Sequence, residues 1–155
     1  MKARTIVLML ALWLIGVGTC LAQSPFMGTW KLNESKSKLA PGTAKNNTVV
    51  YEAAGDDKVK VTIDGTDASG KPTHNEWTGK MDGKDYPVTG DPTSDTRSLD
   101  PRTKHKMGFK AKKDNKVTTS GTIILSNDGK SRTVVSTSTD AQGKKVKNEA
   151  VYDKQ

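Results

Sequence analysis

Apolar and polar residues alternate one by one in most stretches of this chain after residue 45, and this period of two limits its fold more than any other feature. In 58–64 (KVKVTID), Val59, Val61 and Ile63 fall on one face. That spacing is typical of a half-buried β-strand, whereas a helix needs apolar residues three and four apart. The alternation recurs at 104–112, 146–153 and 117–125, where it groups Val117, Thr119, Gly121, Ile123 and Leu125.

The segment 1–22 differs from the rest of the chain. Lys2 and Arg4 precede an apolar run over 6–17, and small residues lead to Ala22. This layout predicts a secretory signal peptide cleaved after Ala22, because the run is shorter than the roughly 20 apolar residues that a membrane-spanning helix needs. We therefore expect a secreted or periplasmic protein with one domain over residues 23–155.

Cys20 is the only cysteine. The segment Val17-Gly18-Thr19-Cys20 resembles a lipoprotein box, although Thr19 stands where Gly or Ala is usual, so a lipoprotein anchored at Cys20 is the alternative to simple export. If cleavage follows Ala22, the mature chain has neither a disulfide nor a thiol.

The chain is poor in apolar residues once this leader is removed. Only 35 of the 133 residues from 23 to 155 are apolar, about a quarter, against about 45–50% counted with Gly in globular domains. Antiparallel strands that bury one face each can fold with so thin a core. Gly, Asn and Asp turns between the runs favour hairpins. We predict an all-β, antiparallel, mostly up-and-down barrel of about eight to ten strands, with residues 87–103 (three prolines) as its loosest connection.

One segment recurs within the chain. Residues 66–71 (TDASGK) followed by Asn75-Glu76 return as 139–144 (TDAQGK) followed by Asn148-Glu149, and both parts recur at the same offset. Either hairpins reuse good turn residues, or two related meanders build the sheet. The shared register of Asn-Glu favours two related meanders.

The segment 26–32 (FMGTWKL) resembles the start of fatty-acid-binding proteins, and a Gly-x-Trp ahead of antiparallel strands is similar to the calycins, which include the lipocalins. With 51–56 (YEAAGD) and 82–88 (DGKDYPV), the chain also resembles small secreted lipocalin-like proteins of soil bacteria. The resemblance implies that Trp30 closes one end of a barrel beneath an arginine from a late strand, for which Arg132 is best placed. The chain departs from these families in lacking a helix-turn-helix lid and a disulfide.

We predict that the barrel binds a small hydrophobic or amphipathic molecule. Residue parity predicts that eight apolar or aromatic side chains point inward and form the ligand site. It also predicts that three polar side chains, Thr119, Thr137 and Asn148, point inward and orient the ligand. The eight are Tyr51, Val61, Trp77, Met81, Met107, Phe109, Ile123 and Tyr152. The rival interpretation is a barrel filled by its own side chains, acting as an envelope or interaction protein through a basic face.

No residue pattern indicates catalysis. After residue 22 the chain has two histidines, His74 and His105, and no cysteine, which is too few ligands to indicate a metal site. Carboxylate pairs such as Asp56-Asp57 fall in turns, where burial rarely shifts a pKa enough for acid–base work. We expect no enzyme activity, no metal and no cofactor.

Arg102 to Lys116 form a basic band in a chain of net charge +8, or +6 without Lys2 and Arg4. An exported protein would meet an anionic envelope surface sooner than nucleic acid, and single-strand binding would need aromatic residues between the charges. Only Phe109 is aromatic there, on the opposite strand face. The alternative is a solvated face whose lysines keep strand edges from pairing. Nothing in the sequence predicts the oligomeric state.

Overall fold

Ten antiparallel strands form one closed barrel in the computed structural model, which describes residues 24–140 and 142–155. This confirms the predicted fold class, with a strand number at the upper end of the expected range. The predicted signal peptide, including Cys20, lies outside the described residues. The strands are β1 Gly28–Leu32, β2 Lys45–Ala53, β3 Lys58–Thr66, β4 Pro72–Lys80, β5 Tyr86–Thr89, β6 Thr96–Thr103, β7 Lys106–Lys113, β8 Lys116–Leu125, β9 Ser131–Thr139 and β10 Lys145–Lys154.

Each strand pairs with the next one along the chain, and β1 closes the barrel by pairing with β10 as well as β2. Trp30 lies opposite Lys154 in this closure, and Leu32 lies opposite Tyr152. Closure removes the free sheet edges that an open sheet would expose. In the described part of the chain, no helix has the length and apolar character needed to cross a membrane.

The hairpins divide the barrel into two ends. The closed end, as we call it, holds Trp30, residues 24–27 and the turns that follow β2, β4, β6 and β8. Phe26 and Met27 are buried there, and the Trp30 indole N–H donates to the Phe26 carbonyl at 2.9 Å. The opposite, open end holds the β1–β2 connection, residues 33–44, whose only regular element is the 3-10 turn Glu34–Lys36.

The internal repeat reappears in the hairpins. Asp67 and Asp140 open equivalent turns: each backbone N–H donates to the carbonyl of the Lys four positions on, and each carboxylate accepts two further backbone N–H groups. The strand β9 also begins and ends at the same offset from β3 that separates the two copies of the repeat. These matches support two related meanders, β2–β4 and β8–β10.

The expectation of a loose connection over residues 87–103 was wrong, because most of β5 and all of β6 lie within it. Proline fits a strand only where no partner needs its missing N–H. Pro87 lies in the short β5, which has two partner positions on each side, and Pro101 lies beside an irregularity in β6–β7 pairing.

Two parity predictions were also wrong. A register shift in the β7–β8 pairing puts Val117 opposite the outward Lys112 and leaves it 48% exposed, although Thr119 keeps the inward face. Thr137 lies opposite Ser120 and Lys147 on the outer face, because the buried Arg132 sets the inward parity of β9 and Ser136 and Ser138 share it.

We predict that Trp30→Ala lowers the free energy of unfolding by about 3–5 kcal/mol, because it empties a fully buried site at the closed end. Denaturant unfolding followed by far-UV circular dichroism measures the change. Val117→Ala, an exposed strand position, is the control and should cost less than about 1 kcal/mol. Equal effects of the two substitutions would show that Trp30 does not hold the closed end.

Candidate ligand site inside the barrel

Arg132 lies at the centre of the closed end, enclosed by three aromatic rings. Its guanidinium carbon is 4.8 Å from the Trp30 ring centroid, 5.0 Å from that of Tyr152 and 5.1 Å from that of Tyr51. This confirms the predicted pairing of Arg132 with Trp30. The side chain is buried, and its Nε and Nη1 atoms have no hydrogen-bond partner among the described residues. Cation–π contacts with the three rings therefore stabilise this cation, which forms no salt bridge with any described residue.

The eight predicted ligand-site residues all belong to one inward cluster. Six of them are 0–5% exposed, namely Tyr51, Val61, Trp77, Met107, Ile123 and Tyr152. Met81 and Phe109 are partly buried and pack against the others. The structure therefore brings the predicted residues together as a packed core, and their contact with a ligand stays a prediction.

The inward positions of β8, β9 and β10 change character toward the open end. Here they carry small or polar side chains that are only half-buried, with Thr119, Ser136 and Asn148 among them. Gly121 lies between them, and a Cβ there would overlap the Val135 carbonyl and the Phe109 ring. The open half of the barrel is thus lined by less bulk than the closed half. Thr119 and Asn148 face inward as predicted.

Asn148 also ties the β1–β2 connection to this end. Its side-chain oxygen accepts the Ala40 N–H at 2.7 Å, and Lys38 forms a backbone bridge with Glu149. Asn148 therefore positions the segment beside the open end, in addition to the ligand-orienting role predicted for it.

Arg97, on β6, is the one charged group of the described interior that the sequence analysis missed. Its side chain is 12% exposed, and Nη2 donates to the Asn75 side-chain oxygen at 3.2 Å and to Asp91 Oδ2 at 3.4 Å. Nη1 is buried without a partner in the described structure. Burial lowers the pKa of Arg97, opposed by the nearby Asp91 and Tyr51, and the guanidinium still stays charged at neutral pH.

Asp91 is held in place by its own loop. Ser94 Oγ donates to Oδ2 at 2.6 Å, and the Thr93 N–H and hydroxyl donate to Oδ1. Burial alone would raise the pKa of Asp91, but these hydrogen bonds and the Arg97 charge hold it below its usual value. The loop thus fixes a carboxylate that satisfies one side of the Arg97 guanidinium, while Nη1 has no partner among the described residues.

Two depressions lie in the surface of the protein. One, of about 460 Å³, is lined by residues 31–35 with Asp153 and Gln155. The other, of about 500 Å³, lies beside residues 24–28 and the end of β2, and Tyr51 is the one predicted site residue that borders it. Within residues 24–140 and 142–155, no cluster of His, Cys, Asp and Glu is arranged to hold a metal ion.

Comparison with known proteins supports the fold. No family model and no curated protein sequence matches the chain significantly. A variant of the fluorescent protein UnaG is similar in structure, with a TM-score of 0.52, 16% identity and coverage of 83% of this chain and 95% of that one. The redesigned barrel mFAP1 bound to DFHBI has a TM-score of 0.44 and 13% identity, covering 84% and 95%. A de novo designed fluorescence-activating barrel has a TM-score of 0.46 and 14% identity, covering 86% and 97%. The chain thus shares a barrel fold with the UnaG variant.

Burial raises the pKa of Tyr152 to about 12, with the nearby Arg132 charge acting in the opposite direction. The folded protein thus keeps the phenol proton to a higher pH than the unfolded chain. The stabilisation that the protonated Tyr152 hydroxyl gives the folded state is complete below pH 10.0 and is lost as the pH rises to about 12. We expect Tyr152→Phe to reduce the alkaline loss of stability by about 2–3 kcal/mol, measured by denaturant unfolding from pH 9 to 12. An unchanged alkaline limb in the variant would contradict the burial of this hydroxyl.

Proposed function

We propose that the protein is an exported, non-catalytic carrier that binds a small amphipathic molecule in the open half of its barrel, with the acid group of the ligand on Arg97. The export part rests on the leader over residues 1–22, and so does a secreted or periplasmic location. The observation that carries the ligand proposal is a buried guanidinium with an unused nitrogen inside a barrel.

The charge balance of the interior supports an anionic ligand. Two arginines are buried there, and among the described residues only Arg97 has an acidic partner. The other, Arg132, relies on aromatic rings. Two guanidiniums therefore face one carboxylate, Asp91, and an excess positive charge is costly to bury. An acid group beside Arg97 would balance this excess and would accept a charge-assisted hydrogen bond from Nη1.

The difference between the two ends supports the position of the ligand. Large side chains fill the closed end, whereas the half-buried Thr119, Ser136 and Asn148 line the open half. An apolar chain that enters from the open end would remove its own apolar surface from water, gaining about 25 cal/mol per Å², whereas the hydroxyl and amide groups of the lining would have to keep hydrogen-bond partners.

The rival function is a filled barrel that works through its outer surface. The tight packing of the predicted site residues favours it, since Trp77 and Met107 are 0–1% exposed. The resemblance to lipocalin-like proteins of soil bacteria fits either function, because it carries no defined role.

We predict that Arg97→Met weakens the binding of a long-chain fatty acid by about 30-fold, because it removes a charge-assisted contact. The fatty alcohol of equal chain length should bind the variant and the parent equally well. Tryptophan fluorescence, which reports on the buried Trp77, measures both titrations.

Arg102→Met is the matched control, because this arginine is exposed and paired with Asp100 at 3.6 Å. It should leave both affinities unchanged. Arg97→Met also leaves Asp91 without its arginine partner, so the thermal melt of this variant is recorded before binding is measured. Arg97→Lys then tests whether a positive charge without the planar guanidinium restores part of the affinity. Equal weakening for acid and alcohol would contradict an acid-group contact.

A second prediction separates the carrier from the filled barrel. Ser136 faces inward between Gly121 and Asn148. If the open half has room for a ligand, the larger side chain of Ser136→Leu should occupy that room, abolish fatty-acid binding and change the free energy of unfolding by less than about 1 kcal/mol. If the barrel is filled, the same substitution would overpack the interior and lower the free energy of unfolding by about 1–3 kcal/mol. Thermal and denaturant unfolding with a fatty-acid titration decide between them.

A further inference from the structure

Three neighbouring strands, β7, β8 and β9, contain no Asp or Glu. Over the same residues the chain carries five lysines and one arginine, and the arginine is the buried Arg132. The outer surface of these strands therefore faces solvent with cations and no anions of its own.

Most of these lysines lack an acidic partner within the described residues. Lys112 is paired with Asp85. The other four, Lys106, Lys110, Lys113 and Lys116, are exposed and form no salt bridge there. Lys106 and Lys110 point outward along β7, and Lys113 lies opposite Lys116 beside the next turn. Positive charge thus runs along this surface, and carboxylates lie at its margins: Asp100 of β6 is opposite Gly108, Asp114 is in the turn after Lys113, and Glu149 of β10 is opposite Val135.

Apolar side chains are exposed on the same surface. Val117, Ile124 and Val135 are 48%, 36% and 42% exposed and are the large hydrophobic residues of the described structure with most exposure. Ile124 lies directly opposite Lys106, and Val135 lies opposite Thr122 on the neighbouring strand. Outward serine and threonine side chains fill the positions between them: Ser120, Thr122, Thr133 and Thr137.

We propose that this surface, the β7–β9 outer face (Lys106, Lys110, Lys113, Lys116, Val117, Ile124 and Val135), docks onto an anionic lipid bilayer. An anionic membrane attracts lysines electrostatically, and the aliphatic side chains between these lysines can enter the boundary between the headgroups and the acyl chains. A soluble polyanion would offer the charge but no apolar layer for the three aliphatics. The face lies outside the barrel, so this proposal is independent of the ligand proposed above.

The test measures binding of the full chain to vesicles of phosphatidylcholine alone and to mixed phosphatidylcholine–phosphatidylglycerol vesicles by cosedimentation. The ratio of the two affinities is compared among variants, since residues 1–22 are common to all of them. We expect Lys106→Glu/Lys110→Glu to lower the preference for anionic vesicles by about 30-fold or more.

Lys58→Glu/Lys71→Glu is the control of equal charge change, because both lysines are exposed and lie on the opposite side of the barrel, beside β3. It should reduce the preference by less than about threefold through net charge alone. Thermal melts establish that both double variants are folded before binding is compared.

Ile124→Ser/Val135→Thr tests the apolar part of the face. It should lower the affinity for anionic vesicles by about fivefold to tenfold with the lysines intact. Equal losses in the two charge-reversed variants would overturn the proposal, since no particular face would then be involved. An unchanged affinity of the aliphatic variant, with retained binding to a soluble anionic polysaccharide, would also overturn it, because the partner would then be a polyanion without an apolar layer.

Discussion

Pairing of β1 with β10 is the interaction on which the structure depends. With about a quarter of residues 23–155 apolar, the chain cannot bury both faces of its strands. Closing one sheet on itself lets every strand turn its single apolar face toward a shared centre. Trp30 lies in this closure and under Arg132, so the closing strand and the strongest packing of the closed end coincide.

The same closure sets up two different interiors. Aromatic rings and long aliphatic side chains meet at the closed end, and the cation among them is balanced by ring faces. Toward the open end the lining becomes small and hydroxyl-bearing, and the cation there is balanced on one side only, by Asp91. Large side chains fill the closed end, whereas the open half has a small, half-buried lining and an Arg97 nitrogen without a partner among the described residues. This difference is why we locate the ligand in the open half.

The sequence predicted the barrel because strands such as β3 and β10 alternate without interruption, and because hairpin turns carry residues that tolerate positive φ, as Asp114 and Asn115 do. It failed where alternation is ambiguous. Adjacent Val134 and Val135 concealed the parity of β9, and the register shift near Val117 leaves no sequence signal. Arg97 was missed because the prolines of β5 and β6 are typical of a loop, and a charged residue in a loop is normally exposed to solvent.

We propose that an acid group of the ligand binds beside the Arg97 guanidinium inside the barrel. The most direct measurement is a pH titration, by ¹³C NMR, of a fatty acid labelled at its carboxyl carbon and bound to the protein. We predict one bound resonance whose pKa lies below that of the free acid, because the guanidinium stabilises the carboxylate. A bound carboxyl that titrates as in water, or with a raised pKa, would contradict the account.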